Sequence, residues 1–132
     1  MADTVAFGSS EWLNAYVKLF NENPELIDTL GDFTARIGYE FTDRPDIVPK
    51  YAYLESGKIL EHGEMKPDDP MDFVIKANYE TWRVMTLGEL DPMNALMSGK
   101  VKVQGNMAAL LKHAEGFRGT FDIVQQVPTS FD

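Results

Sequence analysis

The chain has no cysteine, which excludes disulfides, thiolate nucleophiles and thiolate metal sites. Histidine is nearly as scarce. His62 and His113 are the only two, and neither sits in a helical metal pair or beside a nucleophile elbow, so both read as surface or hydrogen-bonded residues. The acidic pair Asp68-Asp69 lies in a proline-rich loop with no third carboxylate at calcium-loop spacing, and no glycine-rich phosphate loop is present. No catalytic residue, metal site or cofactor is expected. Positive charge is short as well: 12 Lys and Arg stand against 21 Asp and Glu, a formal net charge of −9. A nucleic-acid binder neutralises phosphates with clustered basic residues, so a nucleic-acid partner is not expected. Long apolar runs are missing, none approaching the roughly 20 residues that cross a bilayer. The opening MADTVAFGSSEW lacks the basic flank and apolar core of a signal peptide. These absences lead to the expectation of a soluble, cytoplasmic, non-enzymatic protein.

What is present suffices for a core. With 44% hydrophobic residues among 132, the chain is expected to form one domain over 1–132, preceded by a loose arm at 1–8. From Ser9 or Ser10 as N-cap, Trp12, Leu13, Tyr16, Val17, Leu19 and Phe20 recur at helical spacing. Asn23-Pro24 repeats the cap and first-turn logic for a short second helix that Gly31 ends. From 33 to 41 the residues alternate, with Phe33, Ala35, Ile37, Tyr39 and Phe41 on one face, which predicts a half-buried strand. The segments 51–55 and 58–63 pair as a hairpin across Ser56-Gly57, the charged segment 64–70 with Pro67 and Pro70 reads as loop, and 72–77 is a further strand. The tail after Gly116 has no classifiable pattern.

The densest stretch is 81–117. Asp91-Pro92 suits an N-cap and first helical position, Gly99 a helix stop, 100–104 a strand, and Asn106 the start of a last helix over 106–115 with Gly116 as its C′ residue. An acidic-Pro turn is followed by the small helix Ala95 to Gly99, by Lys100-Val101-Lys102-Val103, and by Gly105-Asn106-Met107. This succession resembles the sterol carrier protein 2 (SCP2) family. Two helices, four strands, two helices, a strand and a helix make an α+β domain: a five-stranded, largely antiparallel sheet with helices mainly on one face. The strand order and an apolar cavity between sheet and helices are what the resemblance implies, not what periodicity reveals.

The resemblance implies a non-catalytic carrier that holds a fatty acyl chain, sterol or similar hydrophobic ligand in a tunnel and transfers or presents it. The expected lipid-binding walls are Phe73, Ile75, Trp82, Met85, Leu96, Met97, Val101, Val103, Leu110, Leu111, Phe117 and Phe121. The same residues at the same spacings also make an ordinary core. Seven methionines add side chains that repack around ligands of variable shape. Ser98 stands where the family often places a glutamine near its tunnel, and it also serves as a plain helix end. Over 99–119, Lys100, Lys102, Lys112 and Arg118 face only Glu115, and these four are the expected contacts for transient binding to a membrane surface. Ordinary solvated charge accounts for them equally well. The C-terminal Thr-Ser-Phe-Asp is not a Ser-Lys-Leu peroxisomal address of the kind some family members carry. The alternative function is an interaction or accessory domain whose cavity has closed and whose apolar surface serves self-association; a lipid-modifying enzyme ranks below it.

Overall fold

In the computed structural model, which describes residues 4–66 and 68–131, five helices begin at a side chain that accepts a backbone N–H. Ser9 accepts from Trp12 ahead of α1 (Ser10–Asn21), and Asn23 from Leu26 ahead of α2 (Pro24–Leu30). Asn78 accepts from Thr81 at α3 (Tyr79–Thr86), Asp91 from Asn94 at α4 (Pro92–Met97), and Asn106 from Ala109 at α5 (Met107–Lys112). Each cap satisfies a donor that the helix itself leaves unpaired, typically worth about 1 kcal/mol.

The strands β2 (Ala35–Phe41), β3 (Lys50–Glu55), β4 (Lys58–Glu64), β5 (Phe73–Ala77) and β6 (Lys102–Gly105) form one sheet in the order β4-β3-β2-β5-β6. Three pairings are antiparallel, but β2 and β5 run parallel from Ile37↔Phe73 to Phe41↔Ala77. The sheet is therefore largely antiparallel, as expected, and mixed only through this one parallel pair. A parallel pair needs a crossover of a dozen or more residues; the excursion 42–72 supplies it, and alternation within a strand carries no information about the direction of its neighbour.

On the outer face, Arg36 lies over the rings of Tyr51 and Tyr53 and pairs with Glu61 at 3.6 Å. On the inner face, register brings Ala35, Ile37 and Tyr39 of β2 beside Leu54, Ala52 and Lys50 of β3. The helices cover this inner face. Their centre is α6 (Ala114–Val124), which touches α1, α2, α3, α4 and α5. This helix corrects the expected helix over 106–115: α5 stops at Lys112, and Gly116 lies inside α6 instead of ending a helix. A Cβ at Gly116 would run into Leu30 Cδ2, and one at Gly119 would stand 2.6 Å from Leu26 Cδ1. The two glycines lower helix propensity by about 1 kcal/mol each relative to alanine, and in return α6 lies directly on α2.

The expected loose arm is also different in the residues described. β1 (Val5–Ala6) pairs in parallel with β7 (Thr129–Ser130), Phe7 is buried, and the Trp12 indole N–H donates to Thr129 Oγ1 at 2.9 Å. Residues 1–3 of that arm and Pro67 of the expected loop lie outside the described residues. Among the described residues, no helix is long and apolar enough to cross a membrane.

Candidate functional site

Between the inner face of the sheet and the helices lies a pocket of about 80 Å³, several times the roughly 10–15 Å³ that one water needs. Its walls come from both layers. α1 contributes Trp12, Leu13, Tyr16 and Phe20, an i, i+3/i+4 stripe that the helical period turns toward the sheet. Strands β2, β3 and β5 contribute Ile37, Tyr39, Phe41, Leu54, Phe73 and Ile75 from alternate positions, and α6 lays Phe117, Phe121 and Val124 across them.

Two aromatic clusters border the space. In one, Phe7 meets Trp12, Phe41, Tyr79 and Phe131 at centroid separations of 5.2 to 5.7 Å. In the other, Phe33 lies 6.2 Å from Phe73 and 4.7 Å from the His113 ring. Trp82 sits over Phe121 at 6.2 Å and donates its indole N–H to the Glu40 carbonyl at 3.0 Å, so the ring faces the pocket while its polar edge is satisfied.

A few polar groups interrupt this lining. The Tyr16 hydroxyl meets those of Tyr39 and Thr120, and burial raises both tyrosines above the ordinary phenol value, Tyr16 further by the neighbouring Tyr39. Thr86 turns its hydroxyl back to the Trp82 carbonyl at 2.7 Å and Thr120 to the Phe117 carbonyl at 2.6 Å. Lys50 is only 7% exposed. Its ammonium donates to the Val48 carbonyl at 2.6 Å. Burial holds its pKa below the ordinary lysine value, and the nearby Glu64 carboxylate offsets part of that. Lys50, Phe7, Gly8 and Ser9 also border a second, more open crevice that includes Arg44, Asp46, Glu64 and Tyr79. Lys50 thus stands where pocket and crevice meet. Among the described residues, no group of three or more His, Asp or Glu side chains could hold a metal ion. His62 instead bonds Asn14 Oδ1 at 2.9 Å.

Of the expected wall residues, the structure brings Phe73, Ile75, Trp82, Leu110, Phe117 and Phe121 to the pocket. Met85 and Val101 are buried but pack away from it, and Leu96 and Val103 are half-buried against the core. Met97 is 80% exposed and Leu111 48% exposed, so neither is a wall. Both corrections follow from helical geometry. Ala95 takes the buried position of α4 and Met97, two residues on, points the other way; Leu110 takes the inward position of α5 and Leu111 is rotated about 100° from it. Ser98 is exposed, its hydroxyl bonded to the Ala95 carbonyl at 3.2 Å.

The four expected membrane contacts are all exposed. Lys102 lies opposite Lys76 in the sheet register, and Arg118 pairs with Asp91 at 3.4 Å. Sequence reasoning missed the walls from α1, β2 and β3, together with Lys50 and the Tyr16, Tyr39 and Thr120 hydroxyls. The apolar stripe of α1 and the alternation of β2 were visible signals for the first group. Nothing marked Lys50.

The model of the SCP-2 sterol transfer family matches residues 15–118 of this chain. Among solved structures, a crystal structure of sterol carrier protein 2 is 23% identical, covers 92% of this chain and 98% of its own, and superposes with a TM-score of 0.84. The solution structure of a conserved hypothetical protein, possibly sterol carrier protein, from Thermus thermophilus is 22% identical over 98% of this chain and 94% of its own, with a TM-score of 0.83. Palmitated SCP2L2 from Aedes aegypti is 16% identical over 78% of this chain and 91% of its own, with a TM-score of 0.55. At these identities the likeness is one of fold. No curated protein matches the chain.

Proposed function

Because this chain belongs to the SCP-2 sterol transfer family, we propose that it is a non-catalytic cytoplasmic carrier that holds a long-chain lipid in the pocket between sheet and helices. The observation that carries this reading is the pocket lining itself: aromatic and aliphatic side chains drawn from helices and strands alike, with few polar groups. Each methylene transferred from water into such a space contributes about 0.8 kcal/mol without a strong polar contact; a pocket of about 80 Å³ takes only the first few, so a longer chain enters as sheet and helices part around it. A bilayer offers the same gain, which leaves the net preference for protein over membrane small and suits loading and release. The palmitated relative from Aedes aegypti supports a single acyl chain as the ligand class. Lys100, Lys102, Lys112 and Arg118 are proposed as a short-range contact with anionic membrane during exchange.

Native mass spectrometry of freshly purified protein, followed by lipid extraction, tests the carrier reading. The expected result is a mass increment that organic extraction resolves into a lipid with one or more long hydrocarbon chains. Protein that stays unliganded after incubation with fatty acids, fatty alcohols and sterols would leave the accessory-domain reading in its place.

A further inference from the structure

A lysine at the rim of an apolar space has few reasons to be buried. Lys50 opens β3 opposite Tyr39 on one side and Glu64 on the other, so its side chain shares the inner face with Tyr39 and points to the region where pocket and crevice join. An ammonium carries three donors. One is used on the Val48 carbonyl at 2.6 Å, and among the described residues no carboxylate lies within ion-pairing distance of it. Burying a charge with incomplete pairing is costly, so the arrangement suits an acceptor that arrives from outside the chain. A lipid whose hydrocarbon part lies along Tyr16, Ile37 and Phe117 would bring its polar end to this rim.

We propose that Lys50 anchors the head group of the bound lipid and selects a single-chain ligand that ends in a carboxylate. The charge balance of the crevice narrows the head group. Arg44 is bonded to Asp46 through two contacts at 3.0 and 2.9 Å, and Glu64 faces the same opening. With Arg44 and Asp46 paired, Lys50 is left facing Glu64 alone, so the crevice holds no surplus of positive charge, which disfavours a phosphate or a larger polyanion relative to a monoanion. A neutral alcohol leaves the ammonium as it is in the free protein.

This inference rests on the carrier reading, and the test separates the two. Affinities of the parent protein, Lys50→Met and Lys50→Arg for palmitate, hexadecanol and hexadecyl phosphate are measured by titration calorimetry at neutral pH. The parent should bind palmitate in preference to the other two. Lys50→Met should weaken palmitate by about tenfold or more, the scale of a lost hydrogen bond to a charged group, and leave hexadecanol within about twofold, which also shows that the variant is folded. Lys50→Arg should retain most of the palmitate affinity. Equal loss of palmitate and hexadecanol in Lys50→Met, no loss of either, or a parent that prefers hexadecyl phosphate overturns the anchor. A parent that binds none of the three overturns the carrier reading itself.

Discussion

Residues 81–117 and residues 7–41 both line the pocket, but they are written differently. The later stretch is crowded with caps, turns and glycines, and these signals set where α3 stops and where α4, β6 and α5 start and stop. It contributes Trp82, Thr86, Leu110, His113 and Phe117 to the walls, while its exposed Met97 and Leu111 contribute nothing. The earlier stretch carries comparable marks, with Ser9 and Asn23 as caps and Gly8, Gly31 and Gly38 as its glycines. Between them, however, it runs a longer helix and a longer strand, and it supplies a full helical stripe and a full strand face, among them Trp12, Tyr16, Phe20, Ile37 and Tyr39. Punctuation residues fix the path of the backbone, and plain periodicity builds the enclosure. A dense motif is a guide to the scaffold more than to the space within it.

The largest effect that bears on this contrast is expected at Phe20, which is 1% exposed. Phe20→Ala should cost about 3–5 kcal/mol, whereas Leu111→Ala, in the motif-rich stretch, should stay within about 0.5 kcal/mol and leave lipid uptake unchanged. Urea unfolding of both variants measures the difference, and comparable losses would erase the distinction between the stretches.

A smaller effect comes from the hydroxyls that tie the earlier stretch to α6, since Tyr16 meets both Tyr39 and Thr120 of α6. Both phenols are raised by burial, so above about pH 10 the unfolded chain loses protons that the folded chain retains. Stability is then fully present below that pH and falls as pH rises, by up to about 1.4 kcal/mol per pH unit for each tyrosine. Tyr16→Phe should reduce the slope of stability between about pH 10 and 11. An unchanged slope would mean that the hydroxyls are wetter than their burial implies.

The smallest effect concerns the lysines of the later stretch. Replacing Lys100, Lys102 and Lys112 with Gln should slow lipid exchange with anionic vesicles a few-fold while leaving affinity for a soluble lipid unchanged, because none of the three borders the pocket. Equal exchange rates would leave them as solubilising charge.

Much of the fold was legible before the structure because its signals are local. Ser9, Asn23, Asp91 and Asn106 cap helices as their identities predict, and the alternation over 33–41 became β2. What stayed illegible is long-range. The one parallel pair, β2 with β5, depends on how 42–72 returns to the sheet, and Gly116 acts through Leu30, far earlier in the chain, whose side chain leaves no room for a Cβ. A glycine near a helix end carries the same letter whether it stops the helix or lets another helix approach. The site was legible to the extent that a wall residue had to be apolar and on the inward face. Lys50 was not, because its role follows from two neighbouring strands and an adjoining crevice.

The pairing of β1 with β7 has a consequence in time. The Trp12–Thr129 hydrogen bond spans 117 positions, and Phe7, which borders the pocket, is carried on the segment that β7 holds. During synthesis the α1 stripe and the β2–β3–β4 arm can assemble early, but the strand that fixes Phe7 does not exist until Thr129 and Ser130 have been added. Closing so long a loop draws on the slowest class of contacts in a folding chain. Until β7 docks, Phe7 is not held against this end of the pocket, so the border is completed only after the α1 stripe and the β2–β3–β4 arm have formed.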